Sequence, residues 1–158
     1  MNNMKKDRRA ELAKLKANLE IVLKNSGEKM VAFTTDSAKY DVNAFVNELA
    51  GEFVAKKVLI ASYDTDITHV DGVEYALLDN ATLAPEVLAD MVEGYDVVLI
   101  ICPNMLENKS YLELAKSGVK SVVFVAKKWS SKTANLKNMK ALAENESMRV
   151  LDMVYVEA

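Results

Sequence analysis

The sequence contains one cysteine, Cys102, and one histidine, His69, among its 158 residues. A disulfide needs two cysteines, and a structural zinc site needs four Cys or His ligands. A single copy of this chain therefore contains neither an internal disulfide nor a structural Cys/His zinc site. A nucleophilic Cys102 with His69 as its base stays open as a catalytic pair. No motif supports that pair, and an isolated cysteine after an apolar strand is more often a small buried hydrophobe.

The chain also lacks a strong excess of charge of either sign. It has 20 Lys and Arg residues and 23 Asp and Glu residues, and its formal net charge is −3. This balance gives no electrostatic attraction toward nucleic acid or anionic membrane. No apolar run approaches the roughly 18 residues of a membrane-spanning helix. The opening stretch MNNMKKDRRAELAKLK has no apolar segment typical of a signal peptide. We therefore expect a cytoplasmic domain without direct membrane insertion.

Glycine is scarce and widely spaced, because the five glycines are each more than twenty residues from the next. A phosphate-binding loop needs closely spaced glycines, which let the backbone turn sharply and bring its N–H groups against the anion. Neither G-x-G-x-x-G nor G-x-x-x-x-G-K-[ST] occurs in the chain. This absence argues against a standard nucleotide-binding enzyme.

Helical and strand patterns alternate along the chain. Helices are predicted from Asp7 to about Asn25, with Leu12, Leu15, Leu19 and Val22 as its apolar stripe, and then over 41–54, 85–93, 111–116 and 133–144. Strands are predicted over 30–33, 57–61, 73–78, 96–101, 120–126 and 149–156. Strands that are apolar on both faces and separated by helices indicate a mainly parallel, doubly wound α/β sheet of five to six strands with helices on both faces. We expect a frayed segment over 1–6 and one domain over 7–158.

Ligands of such folds bind at the carboxyl ends of the strands. The polar or reactive residues predicted at that edge, a strand-end crevice, are Asp36, Asp64, Cys102, Lys127 and Trp129. Lys127 and Trp129 could grip an anion or stack a sugar, or form a charged rim beside a half-buried indole. Asp64 and Asp66 are more often solvated or capping carboxylates than metal ligands, so no metal site is predicted.

Several segments together resemble a known family. RRAELAKLKANLEIVLKNSGEKMVAFTT, KKVLIASYDTD and YDVVLIICP are similar to the bacterial tyrosine kinases of capsule and exopolysaccharide synthesis. These enzymes belong to the P-loop group that includes the division-site and chromosome-partition ATPases. The resemblance covers nearly the whole chain and implies the three-layer sandwich of a P-loop NTPase.

The resemblance also implies where the catalytic motifs should be, and the residues at those positions differ from the family. In the expected P-loop, Lys39 and Asp41 replace the two glycines, and Val42 replaces the phosphate-binding lysine. The full degenerate loop is Lys39, Tyr40, Asp41, Val42 and Asn43, with Asn43 and Ala44 where hydroxyl residues belong.

The two later motifs of the family are also altered. The second motif keeps Asp64 and has Ser62 in place of its other aspartate, and Ile101 replaces the aspartate of the third. Phosphoryl transfer depends on positioning and charge neutralisation, so a chain without these groups has no site for Mg-ATP.

The sequence therefore predicts a pseudokinase-like domain with no catalytic residues and no cofactor, acting through protein–protein contacts. The resemblance implies a membrane chain-length regulator or an active kinase paralogue as the partner, with recruitment to the membrane by that partner and a homo-oligomer as another assembly. A different hypothesis is a small-ligand-binding protein or enzyme that uses the strand-end crevice for chemistry unrelated to ATP. A receiver-like phosphoacceptor domain is a weaker third idea, because the strand 96–101 does not end in a carboxylate.

Overall fold

The computed structural model describes residues 2–36, 42–64, 67–127 and 131–156. The helices are α1 (Asn2–Ser26), α2 (Val42–Ala50), α3 (Pro85–Val92), α4 (Ser110–Lys116) and α5 (Thr133–Asn145). The strands are β1 (Met30–Thr34), β2 (Val58–Ser62), β3 (Glu74–Leu77), β4 (Val97–Ile101), β5 (Ser121–Lys127) and β6 (Arg149–Val156). Among the described helices, none is long and apolar enough to cross a membrane.

The six strands form one sheet in the order β3-β2-β4-β1-β5-β6, and every neighbouring pair is parallel. All residues of β2 and β4 are buried, because helices cover the sheet on both faces. The edge strands β3 and β6 are more exposed, as their mixed composition indicates. The predicted doubly wound α/β sheet is confirmed.

Each face of the sheet carries its own apolar layer. Helices α1 and α2 cover one face, where the most buried large side chains are Leu19, Phe33, Leu49, Ile60 and Leu99. Helices α3, α4 and α5 cover the other face, where they are Leu59, Leu88, Ile100, Leu114, Phe124 and Met139. Successive residues of a strand point to opposite faces, so neighbours such as Leu99 and Ile100 enter different layers. The result is a three-layer sandwich.

Helix α1 begins earlier than predicted, ends at Ser26 close to the predicted end, and differs from the prediction in one residue of its apolar stripe. It begins at Asn2, so Asp7 is not its N-cap, and fraying of residues 1–6 stays a prediction. Neither proline nor glycine occurs before Gly27, so nothing in this stretch breaks the helix. Near its end, Leu23 is buried and Val22 is only half-buried. A helix has about 3.6 residues per turn, so Leu23 falls in phase with Leu12 after about three turns whereas Val22 does not.

Helix α2 ends at Ala50, four residues before the predicted end at Val54. Glu52 and Phe53 donate backbone hydrogen bonds to Leu49 and Ala50, the tight i to i−3 pattern that closes a helix. The chain then turns through Ala55, whose φ is +62°. Phe53 stays buried at 3 % exposure while Val54 is 80 % exposed. The periodic pattern continued past the helix because Phe53 packs on the core from the turn.

Helices α4 and α5 end in the same hydrogen-bonded turn but with different residues. After α4, Gly118 N–H donates to Ala115 and Val119 N–H donates to Leu114. After α5, Ser147 N–H donates to Glu144 and Met148 N–H donates to Ala143. This is the Schellman pattern, which needs a left-handed residue after the helix. Gly118 has φ +104° and Ser147 has φ +59°.

Candidate functional site

The chain leaves β1 and β4 toward opposite faces of the sheet, although these strands are neighbours. β1 leads to α2 on one face and β4 leads to α4 on the other. Such a divergence opens a crevice at the carboxyl ends of the two strands, where ligands of α/β folds bind. The two strand ends are tied together, because Cys102 N–H donates to Phe33 O at 2.9 Å and the buried Thr34 hydroxyl donates to Pro103 O at 3.1 Å.

Helix α2 starts beside this crevice with Val42. The Val42 side chain is 7 % exposed and belongs to the apolar layer that also contains Phe45 and Val46. Asn43 is half-buried, and its carbonyl accepts a hydrogen bond from the Asn47 amide at 2.9 Å. The start of α2 therefore presents an apolar group to the core. Lys39, Tyr40 and Asp41 lie outside the described residues.

Asp36 follows β1 and is held by the start of α5. One carboxylate oxygen accepts a hydrogen bond from the Ser131 hydroxyl, and the other accepts from Lys132 N–H at 3.3 Å and from the Asn135 amide at 3.4 Å. A carboxylate at a helix N-terminus is favoured by the unpaired N–H groups and by the helix dipole. Asp36 thus anchors the loop after β1 to α5.

Lys127 joins the same network through its backbone. Its N–H donates to the Ser131 hydroxyl at 2.9 Å, and its carbonyl accepts from Ser131 N–H at 2.9 Å. The structure therefore brings Asp36 and Lys127, both predicted crevice residues, together around Ser131. Sequence reasoning missed Ser131 and Asn135, although polar residues flanking a helix start are a recognisable capping signal. Trp129 lies outside the described residues.

Cys102 is at the end of β4 and is 4 % exposed. Its thiol donates to Pro103 O at 3.4 Å, and burial raises the pKa of the thiol to about 12. The thiolate is the nucleophilic form of cysteine, so this side chain is unreactive near neutral pH.

His69 lies away from Cys102. Its ring stacks on Tyr75 with centroids 4.1 Å apart, and Tyr75 packs on the apolar layer of α1 and α2. Cys102 belongs to the layer on the other face of the sheet. The hypothesis of a Cys102–His69 catalytic pair is therefore wrong.

The end of β2 carries Ser62, Tyr63 and Asp64. Ser62 is 2 % exposed, and its hydroxyl accepts the Asp64 N–H at 3.1 Å, while the Asp64 side chain is exposed. Tyr63 donates to Ser110 O at 3.4 Å, and burial raises the pKa of its hydroxyl. On the neighbouring strand, Ile101 is 9 % exposed and apolar. Within the described residues, no group of three His, Cys, Asp or Glu side chains could hold a metal ion.

Comparison with solved structures gives several kinase domains as neighbours. The BceF tyrosine kinase domain superimposes with a TM-score of 0.74 at 13 % identity, covering 93 % of this chain and 76 % of that domain. The VpsO kinase domain gives 0.74 at 16 % identity and covers 98 % of both chains. The kinase domain of the Escherichia coli tyrosine kinase ETK gives 0.73 at 11 % identity, covering 93 % of this chain and 74 % of that one.

This chain has the fold of these kinase domains. No protein-family model matches it, and no curated protein does. At such low identity the likeness establishes the architecture and no activity, because one fold hosts many functions. Function has to be argued from the residues at the strand ends.

Proposed function

We propose that this chain is a non-catalytic, pseudokinase-like interaction domain, related to the capsule and exopolysaccharide tyrosine kinases, that acts through protein–protein contacts. The observation that carries the proposal is the burial of Val42 at the start of α2. In a P-loop enzyme this helix start presents a lysine to the phosphates. The methyl groups of Val42 pack among core side chains and supply no positive charge.

The other motif positions support the same proposal. Ser62 is buried and its hydroxyl holds the Asp64 backbone, and Ile101 is buried among apolar residues. A bound Mg²⁺ is coordinated through carboxylates and phosphates. Of these three positions, only Asp64 offers a carboxylate to hold Mg²⁺. With a single carboxylate for the metal and no lysine beside the phosphates, the negative charge of a triphosphate stays uncompensated.

The partner in this proposal is the cytoplasmic end of a membrane chain-length regulator or an active kinase paralogue. In either case the domain would reside in the cytoplasm and be recruited to the membrane by that partner. A homo-oligomer is the other assembly consistent with the proposal. The partner and the location are taken from the family resemblance, and the likeness to the VpsO kinase domain supports the fold on which that resemblance depends.

Thermal unfolding with Mg-ATP and Mg-ADP tests the loss of nucleotide binding. A nucleotide at one hundred times its Kd would stabilise the fold by about 2.7 kcal/mol. We expect no shift for this chain, with a tyrosine kinase domain run alongside as the positive control. A shift that grows with nucleotide concentration would overturn the proposal.

The interaction role needs a second experiment. The chain would be mixed with the active tyrosine kinase of the same genome, and autophosphorylation of that kinase would be followed over time. A change in its rate, with no phosphorylation by this chain alone, is expected. Phosphorylation by this chain alone would contradict a non-catalytic role.

A further inference from the structure

A groove crosses the amino end of the sheet, on the edge opposite the strand-end crevice. It has a volume of about 570 Å³, and its lining includes Leu23, Lys24, Glu28, Lys29, Lys56 and Asp96. These residues come from the end of α1 and from the segments that immediately precede β1, β2 and β4. We call it the amino-end groove. Its volume is in the range of sites that bind ligands.

The carboxylates of the amino-end groove are already paired within the protein. The contacts are Glu20 with the Lys16 ammonium at 2.6 Å, Glu28 with the Ser121 hydroxyl at 3.1 Å and the Arg149 guanidinium at 3.4 Å, and Asp96 with the Lys57 N–H at 2.7 Å. A carboxylate that accepts such bonds has less of its charge available to a ligand. Two of the three negative charges of the groove, those of Glu20 and Glu28, are therefore ion-paired, and Asp96 keeps its charge because its partner is a neutral backbone N–H.

The lysines of the groove have no such compensation. Within residues 2–36, 42–64, 67–127 and 131–156, Lys24 and Lys56 form no ion pair or side-chain hydrogen bond. The Lys29 ammonium donates to the backbone carbonyl of Glu93 at 3.2 Å, so it has a dipole as its partner and no carboxylate. The groove thus contains three lysines, whereas two of its three carboxylates, Glu20 and Glu28, are ion-paired with cations outside its lining, so positive charge is in excess. An anion in the groove would find complementary potential there.

Apolar surface accompanies this positive charge. Leu23 and Val97 are buried in the groove lining at 7 % and 5 % exposure. Val54 and Ile21, at 80 % and 60 %, are the two most exposed large apolar side chains of the described residues. Ile21 precedes Lys24 by one turn of α1, and Val54 precedes Lys56 by two residues. Both lie close in the chain to lysines of the groove, and exposed apolar side chains offer apolar contact to a bound protein segment.

The groove also has an extension. A second groove of about 330 Å³ shares Gly27, Glu28 and Lys29 with it and continues past Lys120 and Glu93 toward α3. The extension adds one positive and one negative side chain, so it leaves the excess of lysine charge unchanged. Together the two grooves have more volume than a single inorganic anion would occupy, and they suit an extended or helical segment of a protein.

We propose that the amino-end groove is the docking site for an acidic segment of a partner protein, with glutamate or aspartate facing Lys24, Lys29 and Lys56 and apolar side chains contacting Ile21 and Val54. The inference rests on the proposed interaction role. It adds where the partner binds, in the amino-end groove, and which kind of segment binds there, an acidic one with apolar side chains. It lies at the edge of the sheet away from the strand-end crevice. A nucleotide-induced thermal shift would therefore overturn the pseudokinase proposal without affecting this one.

Binding of a fluorescein-labelled peptide of Glu-Leu-Glu-Ser repeats, followed by anisotropy, tests the groove. The double variant K24E/K56E should bind about tenfold more weakly than the native chain, because each reversal turns one attraction into a repulsion. The control K14E/K137E reverses the charge of two exposed lysines elsewhere and should bind like the native chain. Equal weakening by both double variants would overturn the proposal, as would no binding by the native chain.

Further experiments test whether a loss of binding reflects misfolding, where the peptide binds, and whether the groove prefers another class of ligand. K24Q/K56Q removes the charges without introducing carboxylates and should lose a smaller part of the affinity while keeping the native circular dichroism. Carbodiimide coupling of the bound peptide should give amide links to Lys24, Lys29 or Lys56 in the mass spectrum. Links confined to other lysines would contradict the assignment. Displacement of the peptide by inorganic phosphate or phosphatidylserine vesicles at constant ionic strength would replace it with a phosphate or membrane site.

Discussion

The two ends of the sheet use their polar residues differently. At the carboxyl end, Asp36 is bound by the start of α5, Thr34 is bound to Pro103 O, and Ser62 holds the Asp64 backbone. At the amino end the carboxylates are paired in a similar way, but Lys24 and Lys56 are left without partners among the described residues. Both ends contain acidic and basic side chains, so their content of charged residues does not distinguish them. The charge that an end can offer to a ligand depends on which of these side chains are already paired within the protein.

The largest expected effect comes from placing a charge at the start of α2. Val42→Lys places a lysine at the position that the proposal assigns to the P-loop lysine, but it buries an ammonium in the apolar layer. It should destabilise the fold by about 3 kcal/mol or more in urea unfolding. Ala44→Lys, at an exposed position of the same helix, is the control and should change stability by less than about 0.5 kcal/mol. A Val42→Lys protein that is as stable as the native chain and binds ATP would show that the strand-end crevice still functions as a P-loop.

Alkaline pH should also weaken the carboxyl end. The Cys102 thiol has a folded pKa of about 12, raised by burial from an ordinary value of 9.0, so the unfolded chain loses this proton first as pH rises. Stability from this group is complete below about pH 9 and falls by about 1.4 kcal/mol per pH unit above it, until the folded pKa is reached. Unfolding by urea at about pH 8 and about pH 10.5 measures the fall.

The matched variant for that experiment is Cys102→Ala. It removes the thiol titration and should lose less stability between the two pH values than the native chain. Tyr63 remains in both proteins, and its pKa is raised by burial first and by the charge of Cys102 second, so most of its contribution is common to the two. An identical pH dependence of the two proteins would argue against a buried, protonated thiol.

Removing one carboxylate from each end compares their structural roles directly. Asp36→Ala leaves the Ser131 hydroxyl, the Lys132 N–H and the Asn135 amide without their acceptor, and should cost about 2 kcal/mol. Glu28→Ala at the amino end should cost about 1 kcal/mol, because its pair with Arg149 is more exposed.

Glu107→Ala is the control for both, because the Glu107 side chain is exposed and forms no hydrogen bond or ion pair within the described part of the chain. Chemical denaturation measures all three. A larger loss for Glu28→Ala than for Asp36→Ala would reverse the interpretation that the carboxyl end is the more tightly bonded.

The smallest effects concern the two helix ends that face the amino end of the sheet. Gly118→Ala should cost about 1 kcal/mol, because φ +104° is unfavourable for a residue with a Cβ atom. Ser147→Gly should gain about 0.5 kcal/mol by relieving φ +59° in the equivalent turn. Thermal unfolding detects both signs. The same sign for both substitutions would mean that packing, and not backbone conformation, governs these turns.

The order of helices and strands could be predicted because each element carries its own periodicity. β4 is apolar on both faces, and the stripe from Leu12 to Leu19 repeats at helical spacing. The end of α2 was predicted four residues too late, because Phe53 packs on the core from a turn and its burial imitates a further helical residue. Periodicity reports which residues are buried, and it reports the backbone shape only indirectly.

The candidate site was predictable only in part. The edge of the sheet follows from the parallel connections, so Asp36, Asp64, Cys102 and Lys127 were placed at strand ends correctly. Their chemistry depends on partners that are distant in the chain, as with Asp36 and Ser131, which are 95 residues apart. The sheet likewise separates Cys102 from His69, and burial makes the thiol unreactive.

By itself, the sequence determined the α/β class and the apolar identity of Val42, the first residue of α2, because periodicity and residue identity are local properties. Only the tertiary structure decided the strand order, the use of Asp36 as an anchor for α5, and the groove where Lys24 and Lys56 have no ion-pair partner among the described residues. Pairing and burial are properties of residues brought together from separate parts of the chain. The packing of helices on the sheet selects those neighbours, and no single segment encodes them.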